Sequence, residues 1–323
     1  MCAPKAGRAE GSTVSSRFRD VVLVISTAVV VVIVTQAMSP AASQAPAGFR
    51  APRAADGHPD LNGIWEALNT ANWNIQSHAA GPALALRPGR STAEIVPAAP
   101  VLALGAAGGV PAGLGIVEGD EIPYQPAAAA TKKENADNWL TRDPEIKCYM
   151  PGVPRATYMP YPFQIVQGTN AITIAYEFAG ATRTIDMGGK DQAPVDSWMG
   201  WSNGRWEGET LVVDVTGFND QTWFDRAGNF HSDALHVVER YTAASPNHLA
   251  YEATIEDPKV FTRPWKISMP LYRRLERNAQ VFEYKCPEFV EELMYGHLRK
   301  EPLPVMDDFR RWYEDFHRFV ANR

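Results

Sequence analysis

Residues 171–178 read AITIAYEF, and the strict alternation in this stretch decides the fold. Ile172, Ile174, Tyr176 and Phe178 fall on one side of an extended chain, with Thr173, Ala175 and Glu177 on the other. The same period returns in ETLVVDVTGF (209–218), HLAYEATIED (248–257), ATRTIDM (181–187), WKISMPLYRRLE (265–276) and AQVFEYKC (279–286). Turn-forming residues separate the runs: Ala179–Gly180, Gly188–Gly189, Ser202–Gly204, Ala227–Asn229, Ser245–Asn247 and Arg277–Ala279. Short alternating strands joined by short turns predict a mainly β protein with an antiparallel meander, hence a barrel or sandwich.

Outside that region the pattern changes. PAAAATKKENADNW opens on Pro126 and fills with good helix formers, predicting a helix. The tail MDDFRRWYEDFHRF places Phe309, Trp312, Phe316 and Phe319 at helical spacing, predicting a closing C-terminal helix. Residues 79–119 are rich in Ala, Gly, Pro and Leu without a clean period, and read as an apolar surface insertion able to act as a lid. Residues 44–56 read as a linker, so residues 57–323 form a single domain.

The N-terminus bears on compartment. Lys5, Arg8, Arg17 and Arg19 precede the uncharged apolar run Val21–Val34, and small residues follow. This is the order of a secretory signal peptide over residues 1–43; an uncleaved anchor is the alternative, and either reading exports the domain to the periplasm or beyond. Two cysteines remain after that segment, Cys148 and Cys286. An even pair in an oxidising compartment predicts one disulfide, with two buried thiols as the alternative. The net charge of −6 comes without a Lys/Arg run, which argues against nucleic acid as a partner.

The densest polar stretch is NDQTWFDRAGNFHSDALHVVERY (219–241). Three chemistries are conceivable there. His231, Asp233 and His236 offer metal-ligand atoms, but the spacing matches no established ligand set, and no metal or other cofactor is expected. Asp225 or Asp233 beside His231 would make a carboxylate–imidazole pair for acid–base catalysis, as in a lyase, isomerase, cyclase or hydrolase. Ser232 between His231 and Asp233 resembles a nucleophile set in composition only. The plainer reading is that Asp225 and Asn229 shape a turn and Ser232 or Asp233 caps backbone donors. In this reading Asn219–Ser232 is a turn at the barrel rim and Asp233–Tyr241 a strand in the wall.

Two further positions stand out. Glu239 shares an apolar strand face with Leu235, Val237 and Tyr241, and Arg183 shares one with Ile185 and Met187. Opposite charges on apolar faces suggest an interior ion pair, unless both lie at strand ends and reach water. The chain also holds nine Trp, and the Pro-laced RATYMPYPF adds Tyr158, Tyr161 and Phe163. Aromatic walls suit flat apolar ligands, although most such rings fill a β-core. Arg183, Glu239, Tyr161, Trp223 and Tyr176 are therefore the candidate ligand-contacting residues, with Arg183 meeting an anionic group if the site is catalytic.

Two resemblances sharpen the expectation. NGIW carries the Gly-x-Trp of the first strand in lipocalin-like (calycin) barrels, and the meander is similar too. The segments DGHPDLNGIW, CYMPGVPRATYMPYPFQI, GRWEGETLVVDVTGFND, WFDRAGNFHSDALHVVERY and IEDPKVFTRPW resemble a large family of secreted bacterial proteins without an assigned activity. The first implies an up-and-down antiparallel barrel; the second implies export and carries no chemistry. Together these readings give an exported calycin-like barrel that binds a small hydrophobic or aromatic molecule. An acid–base enzyme on the same barrel, or a non-catalytic envelope interaction protein, are the alternatives.

Overall fold

The computed structural model describes residues 49–82, 84–88, 93–97, 109–145, 147–189 and 192–284. The signal segment, the C-terminal helix and Cys286 lie outside these residues. The alternating runs form nine strands of one closed barrel: β1 (Gly63–Glu66), β2 (Phe163–Gln167), β3 (Ala171–Tyr176), β4 (Thr182–Asp186), β5 (Trp201–Glu207), β6 (Thr210–Thr216), β7 (His236–Ser245), β8 (His248–Glu256) and β9 (Trp265–Arg273). Each strand pairs with its sequence neighbour, and β1 closes the ring between β2 and β9.

The meander is antiparallel except at one seam. β4 and β5 run parallel, paired only at Ile185 with Ser202 and Asp186 with Asn203. A closed ring with an odd number of strands cannot alternate direction throughout, so one parallel neighbour pair is a geometric necessity. The change of direction falls between residues 187 and 200, where the sequence pattern predicts a turn at Gly188–Gly189; Ser202–Gly204, expected as a second turn, lies within β5 instead. The barrel is thus mixed rather than wholly up-and-down. AQVFEYKC also departs from expectation: residues 279–284 are not in a strand, and among the described residues β9 is the last strand.

Burial follows the alternation. Val237, Glu239 and Tyr241 of β7 face inward, as do Leu249, Tyr251, Ala253 and Ile255 of β8 and Trp265, Ile267, Met269 and Leu271 of β9. At one end Trp65 is fully buried, donates its indole N–H to the Leu61 carbonyl at 3.0 Å, and carries the Arg273 guanidinium over its ring at 4.1 Å. Gly63 sits at φ +140°, and a Cβ there would fall 2.1 Å from Arg273 Nη1. The Gly in Gly-x-Trp therefore leaves the space in which the arginine lies, joining the first and last strands of the barrel.

Helix α1 (Pro126–Asp137) forms where the Pro and Ala/Lys/Glu content places it, followed by α2 (Trp139–Arg142) and α3 (Arg155–Tyr158). Within 79–119 the chain makes two small antiparallel ladders, Gly81–Pro82 with Gly109–Val110 and Leu84–Pro88 with Ala93–Pro97. The C-terminal part of that stretch belongs to the barrel: Ile116 and Val117 are buried, and Val117 bridges to Ile267 of β9.

Candidate functional site

The parallel seam creates the site. Parallel strands begin at the same end, and here Thr182–Thr184 of β4 runs ahead of its first pairing with β5. The wall opens there into a cleft of about 560 Å³. Residues 197–200 bound it on one side, tied to the end of β6 by Ser197 N–H to Gly217 O and Asn219 N–H to Ser197 O, both 2.9 Å. Gly200, at φ +67°, lies against Phe218 and Val215 so closely that a Cβ would be under 3 Å from both. That close approach brings Trp198 and Trp201 to the cleft. Tyr149 packs on Trp198 at 4.7 Å, and Met150 adds a 40% exposed side chain to the lining.

Arg183 and Ser202 lie at the inner side of the cleft, both buried. The guanidinium is turned into the barrel. Its Nη1 is 2.7 Å from Glu239 Oε2 and 3.4 Å from Ser202 Oγ, and its Nη2 donates to Tyr241 Oη at 3.1 Å. Glu239 Oε1 accepts the hydroxyls of Tyr241 at 2.9 Å and Tyr251 at 2.8 Å. The interior pair expected from the strand faces thus exists, rather than two strand-end charges in water. Burial opposes the Arg183 charge, but Glu239 and the surrounding phenols outweigh it and hold its pKa well above the ordinary value. Burial also pushes the Tyr241 and Tyr251 phenols up, so both remain hydroxyl donors. Because Glu239 already neutralises it, Arg183 presents no spare two-pronged cation to an anionic ligand.

The stretch 219–241 is built differently from the sequence expectation. His231 is 3% exposed rather than open at a mouth. Its Nδ1 faces the Ser232 carbonyl at 2.8 Å and so carries the proton; its Nε2 accepts from Thr222 Oγ1 at 2.5 Å. Burial lowers its pKa, keeping the ring neutral. Asp225 is fully buried and accepts from Ile75 N at 2.9 Å, Asn229 N at 3.1 Å and Asn229 Nδ2 at 2.6 Å. Asp233 lies in the turn before β7, exposed and paired with Lys259 at 2.5 Å. The carboxylate–imidazole pair therefore does not form: turn geometry and Thr222 take the partners that catalysis would need. Ser232 is held by Asp257, at 2.6 Å from its N–H and 2.9 Å from its hydroxyl. His236, on the outer wall, reaches Asp214 at 3.1 Å and Glu256 at 3.3 Å, away from any set with His231 and Asp233.

Of the other ligand candidates, Tyr176 and Trp223 are buried in the core, and Tyr161 stacks with Phe178 and Tyr284 at 5.6 and 4.7 Å. None of them lines the cleft.

A second buried charge cluster escaped the sequence reading. Arg155 of α3 is 1% exposed and meets Asp143 through two bonds of 2.9 and 3.2 Å, Glu145 at 2.7 Å and Asn72 at 3.0 Å. Glu145 also takes both Nε and Nη2 of Arg226 at 2.8 Å, and Arg226 lies over Trp73 at 4.4 Å. Burial works against the Glu145 charge, but Arg226 and Arg155 overcome it and hold the carboxyl below its usual range. This network ties the segments at 72, 143–155 and 226 together, and its bonds are all internal.

Comparison with family models, curated proteins and solved structures found no match for this chain. Its chemistry has to be read from the cleft itself.

Proposed function

We propose that the protein binds a small hydrophobic or aromatic molecule in the lateral cleft at the β4–β5 seam. One observation carries this reading: a cleft of about 560 Å³ is lined by Trp198, Trp201 and Met150 and backed by the buried Arg183–Glu239 pair and Ser202. That volume lies in the range of small-molecule sites, and apolar walls with a few fixed polar groups are their usual composition. The acid–base reading loses support, because His231 and Asp225 are engaged internally and neither lines this cleft.

The test is titration with an uncharged aromatic dye, N-phenyl-1-naphthylamine, followed by dye emission and tryptophan quenching. Saturable binding that Thr184→Trp abolishes, with folding unchanged by circular dichroism, supports the cleft. Thr184 is an exposed strand position on the lining, so the larger side chain introduced there fills the space without disturbing the core. Binding that survives this substitution places the ligand elsewhere. Native mass spectrometry of protein taken from its own compartment would identify a carried ligand. Export and a Cys148–Cys286 bond belong to the same proposal; two free thiols in the denatured mature protein would overturn the bond.

A further inference from the structure

The cleft reading leaves the ligand's charge open, and the residues that line it decide between the options. Arg183 and Glu239 cancel one another at 2.7 Å, and both are buried. Thr182, Thr184, Ser197 and Ser202 contribute neutral hydroxyls. Among the described residues of the lining, Asp186 is the one charge with no opposite partner. It is half-buried at the C-terminal end of β4, and its Oδ1 accepts the Gly188 N–H at 3.0 Å. Gly189 lies so close that a Cβ would be 2.3 Å from Asp186 Oδ2. One oxygen of the carboxylate is thereby bonded to the backbone of the following turn, in a cleft that also holds two indoles.

A carboxylate and indoles around one small space favour a cation. The carboxylate attracts it by charge, and aromatic faces attract it through their quadrupoles, tryptophan most strongly. An anion there would meet Asp186 with no free guanidinium to offset it. We infer that the cleft selects aromatic or alkyl amines and quaternary ammonium ions, the apolar body lying against Trp198, Trp201 and Met150 and the ammonium near Asp186. This rests on the cleft being the binding site.

Three ligands of one shape separate the cases: naphthalen-2-ylmethylammonium, naphthalen-2-ylmethanol and 2-naphthoate, each measured by calorimetry on the folded mature protein at neutral pH. The amine is expected to bind roughly three- to thirtyfold tighter than the alcohol, and the naphthoate weakest. Asp186→Asn keeps the acceptor for Gly188 and is expected to bring the amine down to the alcohol's affinity while leaving the alcohol unchanged. An alcohol or naphthoate that binds as tightly as the amine overturns the charge selection and leaves the cleft standing. So does an amine preference that survives Asp186→Asn. If none of the three binds, the cleft reading falls together with this one.

Discussion

Arg183 and Glu239 meet at 2.7 Å inside the barrel, on strands β4 and β7 that are not neighbours in the ring. Their contact spans the interior. Removing one partner strands the other charge in a site closed to water, which costs about 3–5 kcal/mol. Arg183→Met and Glu239→Gln should each lower the urea midpoint strongly. The double variant should lose much less than the two losses summed, because neither charge is then unpaired. Additive losses would mean that the pair is not coupled.

Gly63 leaves the space that Arg273 occupies. Gly63→Ala should displace the guanidinium from Trp65 and from the Asn62 carbonyl, which Nη1 reaches at 2.6 Å. The φ of +140° adds backbone strain for any side chain. A loss of about 1–3 kcal/mol in chemical denaturation is expected. The paired variant Gly63→Ala/Arg273→Ala should recover the steric part.

Arg155 pairs directly with both buried carboxylates, Asp143 and Glu145, while Arg226 bonds to Glu145. Arg155→Met should be among the most destabilising single changes, about 3–5 kcal/mol or more, visible as loss of soluble folded protein or a sharply lowered thermal midpoint. Burial raises the Asp143 pKa even with Arg155 present, and Arg155 partly offsets it. Without Arg155 the carboxyl should hold its proton more tightly still, so the variant should regain part of its stability on acidification.

Asp225 gives a pH signature. Its carboxyl is raised from 3.8 to about 6, chiefly by burial, with its three hydrogen bonds opposing. The folded state therefore holds this proton more tightly than the unfolded chain does. Its contribution is fully present below 3.8 and is lost as pH rises through about 6. The loss is on the order of 2–3 kcal/mol. Glu145, held low by its arginines, acts in the opposite sense: its contribution is present above its unfolded value and lost as pH falls. In Asp225→Asn the falling limb between 3.8 and about 6 should flatten. Urea midpoints at four pH values check this; an unchanged difference between wild type and variant across the window would place the titration on another group.

Much of the barrel was legible because alternation is local. AITIAYEF, ETLVVDVTGF and HLAYEATIED each show their buried face within a single strand, and β3, β6 and β8 lie where those runs fall. Arg183 and Glu239 stood out by the same logic, as charges where the period demands apolar residues. Arg155 gave no such signal. It sits in a one-turn helix among prolines, where no period marks a buried face, and its partners come from residues 72, 143 and 145. His231 misled for a related reason: the carboxylates beside it in sequence are not beside it in space, while Thr222 is.

Alternation in the sequence marked most inward-facing strand positions, although Val212, assigned to the opposite face, is buried as well, and it set Arg183 and Glu239 apart as charges on apolar faces with an interior pair and strand-end exposure both open. Only the tertiary structure decided that the ring has nine strands, and hence one parallel seam. The cleft follows from that parity, since strands that start together part at their common end. Alternation is a property of one strand, but closure is a property of all of them, and the Trp198–Asp186 cleft lies at the seam where two neighbouring strands run parallel.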